Sequence, residues 1–302
     1  MSVTEAKLAP GHMIGFIGLG NMGVPMVLRL CAAGYLVRGY DALDTAGAAL
    51  DGVSGFSRAA SIAELATGAQ AIILMLPNST IVEKVLLDAG LLDGMDLGAV
   101  LIDMGSSRPE ETQKMAVEAT NRGVRFIDAP VSGGVPGARD GSLTVMVGGP
   151  TEWAEDCWPA LEQIGKHVVH VGAAGAGHAL KALNNLLSAS HLLASSEALV
   201  VGTRFGLEPE VMMNAINESS GQSWSTKTKW PRYIIPRNFT SGFQMSLLIK
   251  DTKIAVELAK STGVPVPHAE ATLALWEDAA ATLPANADHT DIHRWVETHQ
   301  NN

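Results

Sequence analysis

Cysteine is almost absent from this 302-residue chain: Cys31 and Cys157 are the only two. Two distant thiols build neither a disulfide framework nor a thiolate metal site, and they suit a reducing compartment. Positive charge is also scarce. The 21 lysines and arginines against 31 acids leave a net charge of −10, which argues against nucleic acid or an anionic membrane surface as the main partner. An anionic ligand would then be held by a local constellation and not by a general field. No apolar run reads as long enough to cross a bilayer, and Met1-Ser2-Val3-Thr4-Glu5-Ala6-Lys7 lacks the apolar centre of a signal peptide. The expectation is a cytoplasmic protein without a membrane partner. Repeats and low-complexity tracts are lacking too.

What the chain does have is 47% hydrophobic residues and 31 glycines, the composition of a globular, loop-punctuated protein long enough for two domains. Met13-Ile14-Gly15-Phe16-Ile17 reads as a buried strand. It breaks into Gly18-Leu19-Gly20-Asn21-Met22-Gly23, and a helical pattern follows. This is the G-x-G-x-x-G spacing of a dinucleotide site. Gly18 permits the tight turn, Gly20 lets a pyrophosphate approach bare backbone, and Gly23 lets the helix pack closely with its N-terminal N–H groups toward the phosphates. A second strand, Tyr35 to Tyr40, ends at Asp41, eighteen residues beyond Gly23. A carboxylate there accepts from ribose hydroxyls and repels the extra phosphate of NADP, so NAD is the expected cofactor, with NADP not excluded. Ala42, Leu43 and Asp44 offer no cation for such a phosphate, whereas the direction of Arg38 is open. The plainer reading of Asp41 is a turn residue.

Strand and helix patterns continue to alternate. Ala71 to Leu76, Ala99 to Asp103, Val124 to Asp128, Leu143 to Gly148 and His167 to Val171 read as strands, and Ala129 to Ala138 as a loop. The expected class is α/β: a Rossmann-like, doubly wound, mostly parallel sheet over residues 1–172. Residues 173–302 read as an all-helical substrate and oligomerisation domain, opened by a long buried helix through Ala179 to Val201. Within that helix Lys181 and Asn185 are four apart and share a face. A lysine withdrawn from water gives up its proton more readily, which suits proton transfer near neutral pH, although a snorkelling surface lysine has the same spacing.

Four segments occur together in order: Gly18 to Gly23, Asp128-Ala129-Pro130-Val131-Ser132-Gly133-Gly134, Gly177 to Lys181 with Asn184-Asn185, and Lys250-Asp251. Over nearly its whole length the chain resembles the β-hydroxyacid dehydrogenases. The 3-hydroxyisobutyrate dehydrogenases are the best-known members, beside tartronate semialdehyde reductases, L-threonate dehydrogenases and related aldehyde reductases. The resemblance implies that Gly18, Leu19, Gly20, Asn21, Met22 and Gly23 wrap the pyrophosphate, Asp41 takes the ribose, and Leu76 and Pro77 lie beside the cofactor. Ser106 stands near the nicotinamide ribose where the family usually has threonine. Ser132, Gly133 and Gly134 match the segment that holds a substrate carboxylate, a role that a hydroxyl and successive N–H groups fill without net positive charge.

By the same resemblance Lys181 is the general base and acid, Asn185 orients the substrate hydroxyl, and Lys250 closes over cofactor and substrate. Trp224 and its loop line the substrate pocket, with Phe239 or Phe243 as a far wall or as plain core. The implied reaction is reversible oxidation of a small 3-hydroxy acid by hydride transfer to NAD, in a homodimer or homotetramer assembled through the helical domain. An imine reductase, a phosphogluconate decarboxylase and a non-catalytic dinucleotide binder are the competing readings. Lys181 and Ser132 to Gly134 argue against the first, and the short helical half against the second. No metal site is expected: the pairs His289 with His293 and His167 with His170 have no acid or thiol at a recognised spacing and read as surface histidines.

Overall fold

The computed structural model describes residues 7–299. Residues 1–6, on which the reading of the leader rests, lie outside them. Among the described residues nine strands form one sheet: β1 Met13–Ile17, β2 Leu36–Tyr40, β3 Phe56–Arg58, β4 Ala71–Leu74, β5 Val100–Asp103, β6 Arg125–Asp128, β7 Val131–Ser132, β8 Leu143–Gly148 and β9 Gly165–Gly172. Their order is β3-β2-β1-β4-β5-β6-β8-β7, with β9 paired to β8. From β3 to β6 all neighbours run parallel, β8 is antiparallel to β6 and β7, and β9 is parallel to β8. β1 lies between β2 and β4, so the strand order reverses there, at the point where doubly wound sheets bind ligands.

Burial on both faces explains the near-continuous apolar strands. Ile14, Phe16, Ile73, Ile102 and Ile127 pack into one core with the Gly23–Ala32 and Thr151–Ile164 helices. Their neighbours Ile72, Leu74, Leu101 and Phe126 pack into another with the Ile62–Ala66 and Pro109–Asn121 helices. Parallel register brings Ile17, Tyr40, Leu74, Asp103 and Asp128 level at the carboxyl edge. The loops that carry the expected cofactor residues therefore leave the sheet side by side.

The chain divides into compact units at Lys181/Ala182. Among the described residues the second unit holds helices and a single isolated bridge, Gln244 with Asp288. After the Ala176–Phe205 helix come Pro209–Asn217, Ser225–Ile234, Met245–Ser261, Pro267–Thr282 and Ile292–His299. Trp230, Trp276, Trp295, Leu192 and Leu248 form its core. Ser225–Ile234 is a π-helix containing Pro231, whose missing N–H takes one bond out of an ordinary helical ladder.

Several expectations need correction. The stretch 129–138 is not a plain loop: β7 pairs with β8, and Gly134–Asp140 is a short helix. The Ala176–Phe205 helix is longer than expected and buried along one side only, with Leu180, Leu183, Leu187, Val201 and Phe205 exposed. At 30 residues, with a mean hydropathy of 1.2 in its apolar window, it is also long and apolar enough to cross a membrane by length and composition. Half of that window is buried in the protein's own packing, as in the core helix of a folded domain. His289 and His293 are buried and not on the surface.

Candidate active site

At Gly18 and Gly23 the loop has the tight turn and the close packing that its spacing predicts. Gly18 has φ +102°, and a Cβ there would lie 2.4 Å from the Met75 carbonyl oxygen; at Gly23 it would lie 1.9 Å from that of Gly18. Around Gly20 nothing comes within 4 Å, so the backbone that should meet a pyrophosphate is bare. The Gly23–Ala32 helix has no side-chain cap and no acid in its first turn. Its N-terminal N–H groups and its dipole thus favour an anion.

Asp41 turns its carboxylate back to the loop, accepting from Leu19 N–H at Oδ2 (2.7 Å) and from Leu43 N–H at Oδ1 (2.9 Å). Each oxygen has a further lone pair for a ribose hydroxyl. The direction of Arg38 is decided: its guanidinium donates to the Glu64 and Thr67 carbonyls, at 2.7 and 3.0 Å, and is committed to the Ile62–Ala66 helix. These residues fit a dinucleotide.

Leu76 and Pro77 follow β4, and Ser106 lies in the loop after β5. That loop is organised by Asp103, fully buried, which accepts from Gly105 N–H and from the Ser107 hydroxyl, each at 2.9 Å. Asp128, at the same level on β6, caps the long helix from a distance: Oδ1 accepts from Gly175 N–H (2.7 Å) and Oδ2 from His178 N–H (2.9 Å). The next residues in the chain lead to Ser132, at the end of β7, and to Gly133 and Gly134, with φ of +134° and +63° that favour glycine. One carboxylate therefore joins the expected substrate-carboxylate segment to the helix bearing Lys181. Lys181 itself is half-buried.

One turn beyond Lys181 on the same helix, Asn185 is buried and donates to Asp251 Oδ2 at 2.6 Å, while Asn185 Oδ1 accepts from Asn184 at 3.1 Å. Asp251 Oδ1 pairs with Lys250 Nζ at 2.9 Å. The helical unit thus brings Asn185 and Lys250 together on one carboxylate. It does not bury Trp224, which is 70% exposed, and it packs Phe239 into its core under the Arg294 guanidinium, 4.0 Å from the ring centroid. Asp103, Asp128, His178 and Asp251 were missed as site residues from sequence. All four lie in or beside segments singled out there, and only the fold reveals what they hold.

Away from these residues the helical unit buries a polar cluster. Lys229 Nζ contacts His289 Nε2, and Asp288 accepts from Ser241, from Gly242 N–H and from Thr290. Burial, with the Lys229 ammonium beside it, pushes the His289 imidazole below its ordinary value. Burial opposes the Asp288 carboxylate, yet hydrogen bonds from His289 and Thr290 outweigh it and hold that carboxyl well below the carboxylate range. Burial also pushes the Cys157 thiol up to about 12, so it is inert. Among the described residues no group of three or more His, Cys, Asp or Glu is placed to hold a metal ion.

Residues 13–172 match the model of the NAD-binding domain of 6-phosphogluconate dehydrogenase, and residues 175–296 match that of the NAD-binding domain of NADP-dependent 3-hydroxyisobutyrate dehydrogenase. A 2-(hydroxymethyl)glutarate dehydrogenase of Eubacterium barkeri is 39% identical, over 89% of either chain. An NAD-dependent L-serine dehydrogenase of Pseudomonas aeruginosa is 36% identical, over 87% of this chain and 90% of its own. A solved 3-hydroxyisobutyrate dehydrogenase of Mycobacterium tuberculosis with L-serine superposes with a TM-score of 0.87 at 32% identity, over 95% of this chain and all of its own. With this cofactor loop, this helix and these relatives, the chain belongs to the β-hydroxyacid dehydrogenase family of NAD(P)-dependent oxidoreductases.

Proposed function

We propose that the protein reversibly oxidises the primary alcohol of a 2-substituted 3-hydroxypropanoate, with NAD preferred over NADP. The carrying observation is the Asp128 clamp, which ties the Ser132–Gly134 segment to the helix turn before Lys181. The substrate class follows from what the relatives are named for: 2-(hydroxymethyl)glutarate, L-serine and 3-hydroxyisobutyrate share HOCH2–CHR–COO⁻ and differ only in R. A constant carboxylate and hydroxyl call for constant partners, and R for a variable wall.

In this reading the Ser132 hydroxyl and the backbone of Gly133 and Gly134 hold the carboxylate. Asn185 orients the substrate hydroxyl, and the Lys181 amine takes its proton in the oxidative direction and returns it in the reductive one. Gly18 to Gly23 with Leu76, Pro77, Ser106 and Lys250 hold the dinucleotide, whose adenosine ribose meets Asp41. The nicotinamide, when bound, supplies the two-electron acceptor. NAD preference is supported by the acid at position 41 and by the commitment of Arg38 elsewhere.

The exposed side of the Ala176–Phe205 helix supports self-association. Leu180, Leu183, Leu187, Val201 and Phe205 recur at helical spacing along about 38 Å of helix. A second copy offering the same stripe is the proposed occupant, since a symmetric dimer pairs one patch with itself.

The test is the appearance of reduced nicotinamide with NAD or NADP against 3-hydroxyisobutyrate, L-serine, 2-(hydroxymethyl)glutarate, glycerate and L-threonate. A rate on members sharing the hydroxymethyl carboxylate, abolished in Lys181→Ala with NAD binding intact, supports the reading. Equal rates in mutant and wild type overturn the role of Lys181.

A further inference from the structure

His178 lies in the first turn of the lysine-bearing helix, and its ring is wholly enclosed. Nδ1 lies 2.8 Å from the Thr112 hydroxyl. That hydroxyl has one proton and donates it to the Arg108 carbonyl at 3.0 Å, so it accepts from His178, and Nδ1 carries the hydrogen. Nδ1 is also 3.7 Å from Asp128 Oδ2. Nε2 is buried without a hydrogen-bond partner and faces Asp103 Oδ2 at 3.8 Å, too far for a bond. The ring thus stands between the two carboxylates that organise the Ser106 loop and the Ser132–Gly134 segment. Its backbone N–H is one of the two groups that Asp128 caps.

We infer that His178 is a positioning residue for Lys181, fixing the rotation and height of the first helical turn against the ends of β5 and β6. The inference rests on the proposed role of Lys181. The two residues are three apart on one helix and lie on neighbouring sides of it. A side chain tip stands about 6 Å from a helix axis, so turning the first turn by about 10° displaces it by about 1 Å, a misplacement able to cost about 100-fold in rate. Asp128 alone does not prevent that rotation, because its two bonds go to backbone N–H groups near the helix axis. The Thr112 bond, made at the rim by a side chain, supplies the leverage. Nε2 is the one ring atom whose contact is left to change, and it faces the carboxylate that shapes the Ser106 loop.

The experiment compares His178→Ala, His178→Gln and Thr112→Val with the wild type in full-length protein, by steady-state kinetics and by hydrogen exchange across residues 174–185. His178→Ala is expected to lower kcat by about 10- to 100-fold, to leave the KM for NAD within about twofold, and to speed exchange in that segment. Thr112→Val should reproduce part of both effects, and His178→Gln, whose amide can still donate to Thr112, should restore most of kcat. Wild-type kcat or wild-type exchange in His178→Ala overturns the inference, as does a glutamine variant no better than alanine. Exchange needs neither substrate nor turnover, so it decides the anchoring even where the substrate panel is silent, a result that would count against the proposed reaction instead.

Discussion

Asn185 donates to Asp251 at 2.6 Å across 66 residues of sequence, and the same carboxylate pairs with Lys250 at 2.9 Å. The helix of the expected hydroxyl-orienting amide and that of the expected closing lysine are therefore joined at one buried acid. Asp251→Ala removes both bonds. It is expected to lower kcat/KM by about 100-fold and stability by about 1–3 kcal/mol, because a buried amide loses its acceptor. Kinetics with chemical denaturation checks both, and a variant with wild-type kcat/KM would take Asp251 out of the site.

Asp41→Ala should weaken NAD and narrow the preference over NADP by about tenfold, since it removes a ribose acceptor and a repelling charge together. Arg38 cannot compensate while it serves the Glu64 and Thr67 carbonyls. The ratio of kcat/KM for the two cofactors is the measurement.

Gly20→Ala and Gly23→Ala separate binding from folding. A methyl at Gly20 meets nothing, so the variant should melt with the wild type and bind NAD at least about tenfold more weakly, by intrusion on the pyrophosphate. A methyl at Gly23 meets the Gly18 carbonyl, and the expected cost is about 1–3 kcal/mol of stability. Thermal melts and titration with NAD distinguish the two.

Stability should depend on pH through His289. Its folded value lies below the unfolded one, near 6.5, because of burial and the neighbouring Lys229. The unfolded chain then binds more protons in the window below about 6.5, and stability falls as pH drops through it. Asp288, also depressed, gives stability that is present above its unfolded value and lost at lower pH still. Lys229 and Asp288 are the charged groups against the ring, with Ser241 and the Phe243 carbonyl. Denaturation of wild type and His289→Gln at about pH 7.5 and about pH 5 checks this: the slope should flatten in the variant.

Leu187→Glu with Val201→Glu places two charges on the exposed apolar stripe of the long helix. If a second copy covers it, the mass measured by light scattering should fall to that of one chain, since an unpaired charge buried at an interface is costly.

The sheet and the glycine loop were legible because their signals are local. Apolar runs such as Ala71 to Leu76 and the glycines at 18, 20 and 23 announce themselves within a few residues, as do the helix starts at Pro109 and Pro209. The short β7 and the helix at Gly134–Asp140 were not, because a two-residue strand between prolines and glycines has no period to detect. His289 looked like a surface residue because burial of a polar side chain depends on partners far away in sequence, here Lys229, 60 residues before it.

The sequence by itself determined the class of fold, the class of cofactor and the family, through patterns whose physical cause is short-range: strand burial, turn geometry and a helix N-terminus free for an anion. Only the tertiary structure decided which acids hold the site. Asp128 caps a helix 47 residues onward, Asp251 receives an amide from 66 residues before it, and His178 meets Thr112 across 66. A buried carboxylate must find donors wherever the fold brings them, and nothing in its sequence neighbourhood says which they are.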